Sequence, residues 1–367
     1  MKPFVPFMPR LVCRTTLTGA IIAFAWLPAL LPTTANAQSL PTPPPTPNLT
    51  DNAAQLSAAA GQLDLGTNFL QRLGRAATYG YAQRENSGGG GASQSTEAPL
   101  YRSWFEVYGQ SAQTGPQGTF VGDKRKTIGG VAGIAMNITP NFNLGVSVDQ
   151  SHTDIDAPLA LQTAGLDLTQ IGINGSYTNG PWTVAFAAVH GFASIDSRRT
   201  TPGGIASAGY RGSIDGALGE LSYYNAIGQS RIVPKIAVEY VVASTNAFQE
   251  SGGTLPVGVA DSHGERARML IGAEAGHYWI AGQQIMDISA YGKFVDNFAQ
   301  NMGTVDVTLG NSSIAVQGIR ESTLGADAGA NISWMMTDKM RLYANYDGKY
   351  RSSFNSHQGT LGFELKW

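Results

Sequence analysis

The sequence predicts an all-β fold, a twelve-stranded antiparallel transmembrane β-barrel with an amino-terminal helix inside its lumen. Three observations predict it. From Leu100 onward, apolar and polar residues alternate with period two, and the charges collect on one face. Along the same stretch, tight connections alternate with longer ones. Beyond the amino-terminal segment no run of about 18 apolar residues exists to make a helical span, so a membrane location would require a closed sheet that satisfies every backbone group. Composition agrees: 14% of residues are charged, 43% are hydrophobic and 45 are glycine, which suits a barrel that places its apolar residues at alternate positions. A net charge of -2, with no basic cluster past the amino terminus, argues against nucleic acid as a partner.

Residues 1–37 read as a secretory signal. Lys2, Arg10 and Arg14 form the positive region, an apolar stretch runs from Leu17 to Leu31, and Ala35-Asn36-Ala37 offers the cleavage pattern. Pro28 and Pro32 interrupt the stretch and leave it short of a membrane anchor. Export by the Sec pathway follows. The single cysteine, Cys13, falls inside this segment, so the mature chain is expected to hold no disulfide, thiolate metal site or cysteine nucleophile.

Residues 38–66 form a short passenger or spacer. Gln38–Pro47 is Pro-rich and favours extended chain; an Ala-, Leu- and Gln-rich stretch follows, with Gly61 and Gly66 weakening its middle. The helix is therefore expected over Thr67–Arg84, carrying Phe69, Leu70 and Leu73 beside Arg72, Arg75 and Arg84. Gly88–Gly91 completes a linker region, residues 67–99. The barrel domain spans residues 100–367.

Within that domain, Ile232, Ile236, Val238 and Tyr240 share one face, opposite Lys235, Ala237 and Glu239. Ala267, Met269, Ile271, Ala273, Ala275 and Trp279 oppose Arg266, Arg268, Gly272, Glu274 and Gly276. Met286, Ile288, Ala290 and Phe294 oppose Asp287, Ser289 and Lys293, while Arg341, Asn345, Asp347 and Lys349 share a polar face. A lipid-facing wall around a wet lumen demands this separation. The predicted lumen wall therefore includes Glu106, Lys235, Glu239, Glu274, Asp287, Lys293 and Arg341, with Arg72 and Arg75 on the enclosed helix. Short turns are expected near Thr139–Asn141, Asn179–Pro181, Ile227–Gln229, Ala281–Gln283 and Thr337–Lys339. Longer connections are expected near Ser111–Arg125, Thr153–Thr163, Arg198–Ser207, Phe248–His263, Asn297–Arg320 and Ser352–Asn355. Eleven connections imply twelve strands, with both barrel ends on the periplasmic side.

The last strand carries Leu361, Phe363, Leu365 and Trp367 on one face. It looks like the signal read by the barrel-assembly machinery of Gram-negative bacteria. Ser103-Trp104-Phe105-Glu106-Val107-Tyr108-Gly109 is similar to the opening strand of the autotransporter β-domain family. Gly129-Gly130-Val131-Ala132-Gly133 followed by Leu144–Val148 resembles the same family, as do Ser322–Gly329 and His357–Gly362. The resemblance covers Leu100 to Trp367. It implies a Gram-negative outer-membrane translocator barrel whose partners are outer-membrane lipid, periplasmic chaperones and the assembly machinery, and which is monomeric. Trp367 stands where the family more often has Phe. The family's usual long passenger, often a β-solenoid, has no counterpart in residues 38–99, which contain no internal repeat. An open pore and a surface adhesion protein acting through its loops are the alternatives.

No enzyme motif competes with this reading. The histidines (His152, His190, His263, His277 and His357) lack metal-ligand spacing, and neither H-E-x-x-H nor G-x-S-x-G occurs. No cofactor is implied. Some autotransporters cleave their own linker at an asparagine beside lumenal acids. Asn68, with Glu106, Glu220, Glu239, Glu274 and Asp287, would be the corresponding set, but pairing of those acids with Lys235, Arg266, Arg268, Lys293 and Arg341 is the expected outcome.

Overall fold

The computed structural model describes residues 53–78, 100–282 and 284–367. The expected signal segment, the Pro-rich spacer and the Gly-rich linker lie outside the described residues. One helix, α1 (Ala53–Ala77), precedes the barrel strands β1 (Tyr101–Thr114), β2 (Asp123–Thr139), β3 (Phe142–Ala157), β4 (Gln162–Asn179), β5 (Trp182–Thr201) and β6 (Gly204–Tyr223). The second half comprises β7 (Ser230–Thr245), β8 (Ser262–Ala281), β9 (Gln284–Asn301), β10 (Leu324–Met335), β11 (Met340–Arg351) and β12 (Phe354–Lys366). Every strand pairs antiparallel with its sequence neighbour, and β12 pairs with β1, from Arg102↔Lys366 to Thr114↔Phe354. That last ladder closes the sheet and removes its edges.

Exposure alternates residue by residue. On β3, Leu144, Val146 and Val148 face outward while Asn143, Ser147 and Asp149 face the lumen. Trp182, Tyr223, Trp279, Trp334 and Trp367 all sit outward at the tight-turn end, the aromatic girdle expected at a membrane interface. The turns at that end are short because glycine permits them: Gly180, Gly228 and Gly282 adopt φ of 55°, 62° and 66°.

The opposite end departs from the sequence expectation. Thr153–Thr163 and Arg198–Ser207 are chiefly strand, not loop. β5 and β6 pair up to Thr201↔Gly204, leaving only Pro202 and Gly203 between them. Their Asp, Ser and Gly content suggests loops, but strands that project beyond lipid need no apolar face. Ser352 and Ser353 likewise form a tight turn. The connection within Ser111–Arg125 is residues 115–122, and the two longest connections fold together, with Phe248–Gln249, Gly258–Val259, Thr304–Leu309 and Ser312–Gln317 forming a four-stranded sheet. This sheet caps the barrel mouth over a small apolar core.

The helix, Ala53–Ala77, begins well before the expected Thr67, and residues 79–84 of the expected helix lie outside the described residues. Gly61 and Gly66 do not break it, because lumen packing outweighs the roughly 1 kcal/mol helix penalty of each glycine. A Cβ on Gly66 would lie 2.3 Å from Ile214 Cδ1, so glycine gives the wall its closest approach there. At 1.5 Å per residue the helix is about 37 Å long, enough to traverse the barrel.

Candidate functional site in the barrel lumen

The lumen has two unlike halves. Leu166, Leu168, Val189, Ile195, Ile214, Leu218 and Val241 line the apolar one, and Leu63, Phe69, Leu70 and Leu73 of α1 pack into it. Glycines bring the wall close, since a Cβ on Gly172 would lie 2.4 Å from Leu73, and one on Gly216 2.9 Å from Leu70. Burial of a side chain such as Leu70, which is fully covered, contributes about 1.5–3 kcal/mol.

The other face of the helix meets charge. Arg72 Nε lies 2.9 Å from Glu106, Nη1 lies 3.9 Å from Asp149, and the guanidinium covers the Tyr108 ring at 4.0 Å. Arg75 donates to Asp347 at 2.8 Å. More than two turns above Arg72, Asp64 accepts from Arg125 at 2.8 Å, and Arg266 Nη2 lies 3.5 Å from the same carboxylate. Asn68 donates to Gln110 at 2.8 Å and accepts from Lys349. A buried pair stripped of one partner costs several kcal/mol, so these contacts define a single seat for the helix.

Both helix ends are bound to the wall. The Ala54 N–H donates to Gln162 at 2.9 Å near the cap. At the other end, Arg102 donates to the Ala76 carbonyl at 2.5 Å, while Asn143 and Ser176 donate to that of Ala77 at 3.1 and 2.8 Å. Carbonyls left unpaired by the helix thus find partners on β1, β3 and β4. The helix therefore runs from the capped mouth to the tight-turn end.

Beside its last turns the lumen keeps a vestibule lined largely by charged and polar side chains, with Glu220, Lys293 and Tyr291 among them. Most of the remaining lumen-wall residues line it, and several pair there. Lys235 and Arg231 hold Glu274 at 3.2 and 3.1 Å, Arg231 also binds Asp287, and Arg341 holds Glu364 at 2.8 Å. Glu239 accepts from Arg268 at 2.6 Å and from Gln71 at 3.0 Å. Lys293 stands 5.4 Å from the Tyr291 ring centre.

Sequence reasoning missed Asp64, Arg125, Asp149 and Arg231 as lumen residues. The period-two pattern of β2, β3 and β7 carries the signal for the last three; Asp64 was lost with the misplaced helix start. Among the described residues no group of three or more His, Cys, Asp or Glu side chains is arranged to hold a metal. Leu361 and Leu365 face lipid, and Trp367 closes the β1–β12 seam. Its ring stacks on Tyr101 at 4.9 Å, and its indole N–H donates to Ser103 at 3.1 Å.

Comparison with known families decides the assignment: the profile described as Autotransporter beta-domain matches residues 103–347. The chain belongs to the autotransporter β-domain family. It is an outer-membrane translocator barrel, and membership implies a Gram-negative outer membrane. The translocator domain of autotransporter NalP from Neisseria meningitidis is similar in fold, with 12% identity and a TM-score of 0.65, over 86% of this chain and 99% of that one. The β-domain of the Bordetella autotransporter BrkA gives 15% identity and a TM-score of 0.56, over 73% and 100%. Comparison with curated proteins gives no match. The autotransporter barrel thus carries its helix where a pore would carry water.

Proposed function

We propose that α1 is a resident plug of the translocator barrel and that the residues preceding it are held at the outer face as a surface-displayed segment. The observation that carries this reading is the two-sided fit of helix and lumen. One half of the wall is apolar and glycine-indented where Leu70 and Leu73 lie, and the other is charged where Arg72 and Arg75 lie. An open aqueous channel has no use for a dry half-lumen. The direction of α1, with Ala54 by the cap and Ala77 by the tight turns, supports delivery of the preceding chain outward.

In this reading the protein is not an enzyme. Both ends of the Asn68 amide are engaged, by Gln110 and Lys349, which fits a residue that fastens the helix to the wall. The lumenal carboxylates serve to seat the helix and brace the wall. The chain reaches the periplasm through Sec and is held by chaperones. The assembly machinery then inserts it as a monomer by reading Leu361, Phe363, Leu365 and Trp367. Conductance in planar bilayers tests the plug. The full barrel should stay closed and a barrel lacking residues 53–77 should conduct; equal, steady conductance of both would favour the pore instead.

A further inference from the structure

The cap over the barrel mouth is built from two separate connections. The β7–β8 connection contributes Phe248–Gln249 and Gly258–Val259, and the β9–β10 connection contributes the hairpin Thr304–Leu309 with Ser312–Gln317. Its underside is apolar: Val259, Val305, Val307, Val316 and Ile319 cover Ala53 and Leu56 at the top of α1. The hairpin joins the barrel through a narrow neck, where the Gly318 N–H donates to the Gly303 carbonyl at 3.2 Å and Gly303 takes a φ of 58°.

Below the neck, the same connection sends Glu321 down into the lumen. Its backbone is fixed to Gln300, which accepts from the Glu321 N–H at 3.2 Å and donates to its carbonyl at 2.6 Å. The Glu321 carboxylate binds Arg266 Nη1 and lies 3.6 Å from Arg351. The other amino group of Arg266, Nη2, is turned to the helix. It donates to Thr67 Oγ1 at 3.1 Å and lies 3.5 Å from Asp64 Oδ1. One guanidinium thus holds the lid with one nitrogen and the plug with the other, at 3% exposure.

We propose that the cap is a lid whose closure is locked to the seating of the helix through Arg266. The proposal rests on the reading of α1 as a resident plug. When the helix sits in the lumen, Arg266 is anchored by Asp64 and Thr67 and presents a fixed site to Glu321, while Ala53 and Leu56 complete the apolar underside. When the helix is absent or displaced, both supports vanish together and the lid loses its latch. Linkage makes the effect reciprocal, so a closed lid holds the helix in place as firmly as the helix holds the lid. The barrel would then open outward only while its lumen carries something other than α1.

The test is a single thiol beneath the lid. V307C replaces a side chain that is 4% exposed, and its labelling on intact cells by a membrane-impermeant maleimide reports lid opening. Asp64→Asn and Glu321→Gln should each speed labelling at least tenfold, and the double variant should add little to either. Thr67→Val, which removes one hydrogen bond to Arg266, should move the rate the same way by less and serves if Asp64→Asn fails to assemble. Heat-dependent gel mobility confirms that each variant is folded. A labelling rate unmoved by Asp64→Asn or Thr67→Val, in a barrel that stays closed in bilayers, would overturn the coupling and leave the plug intact. A V307C parent that conducts steadily would overturn the plug reading itself.

Discussion

Replacing Arg72 with methionine should unseat the plug. The change keeps the length and apolar stem of the side chain but removes the cation that faces Glu106 at 2.9 Å and Asp149 at 3.9 Å. Both carboxylates are deeply buried, and leaving a buried charge without its partner costs about 3–5 kcal/mol. The wall softens this loss: Tyr343 still donates to Glu106 at 2.9 Å, and Tyr108 and Gln170 donate to Asp149, both at 2.9 Å. The lower bound therefore applies, about 3 kcal/mol against the seated helix. At 1.4 kcal/mol per tenfold, the unseated fraction should rise roughly a hundredfold. Single-channel recording reads this as open time. A second change, Glu106→Gln, should restore part of the closure, because the charge left alone is then removed. If Arg72→Met leaves open time unchanged while the barrel remains folded, the helix is not held by this pair and the electrostatic seat is wrong.

Other predictions follow from separate contacts. Gly172→Val places atoms against Leu73 and Phe69. Overpacking of this kind costs about 1–3 kcal/mol and should raise open time, while Gly219→Ala, which has nothing within 4 Å of the added Cβ, should not. At Glu321 burial pushes the carboxyl up, but Arg266, Arg351, Arg268 and Lys349 outweigh it and hold the group at about 2, below its ordinary 4.5. A carboxyl lowered on folding stabilises above its unfolded value and loses that contribution as pH falls toward the folded one. Melting of wild type and Glu321→Gln should therefore differ above pH 4.5 and converge toward pH 2; a difference that persists at pH 2 would contradict the assignment. Trp367→Ala removes the stack on Tyr101 and the bond to Ser103, a loss of about 0.5–1.5 kcal/mol beyond area for the stack. The heat-modifiable fraction should fall, and Trp367→Phe should retain most of it.

The barrel was legible because its physics is local. Charges at alternate positions, as in Lys235, Ala237 and Glu239 against Ile236, Val238 and Tyr240, assign lumen and lipid faces without any knowledge of neighbours. The parts that misled depend on distant partners. Gly61 and Gly66 read as helix breakers until Ile214 and the rest of the lumen wall are present to pack against them. The upper halves of β5 and β6 read as loop because strands outside lipid lack the apolar face that marks them. The cap sheet was invisible for a third reason: Gly258–Val259 is two residues long and pairs with Thr308 and Val307, in a different connection. Among the lumen residues, Arg231 and Asp149 follow the same alternation as the rest, whereas the sharing of Arg266 between Glu321 and Asp64 exists only in three dimensions.

A helix that threads the lumen from the tight-turn end to the capped mouth should carry the preceding chain outward. An epitope tag placed after Ser39, probed on intact cells with antibody and an impermeant protease, tests it most directly. The tag should be labelled and removed without breaching the outer membrane, while the barrel stays intact. A tag that is reached only after permeabilisation would place that segment in the periplasm, and the helix would not deliver it outward.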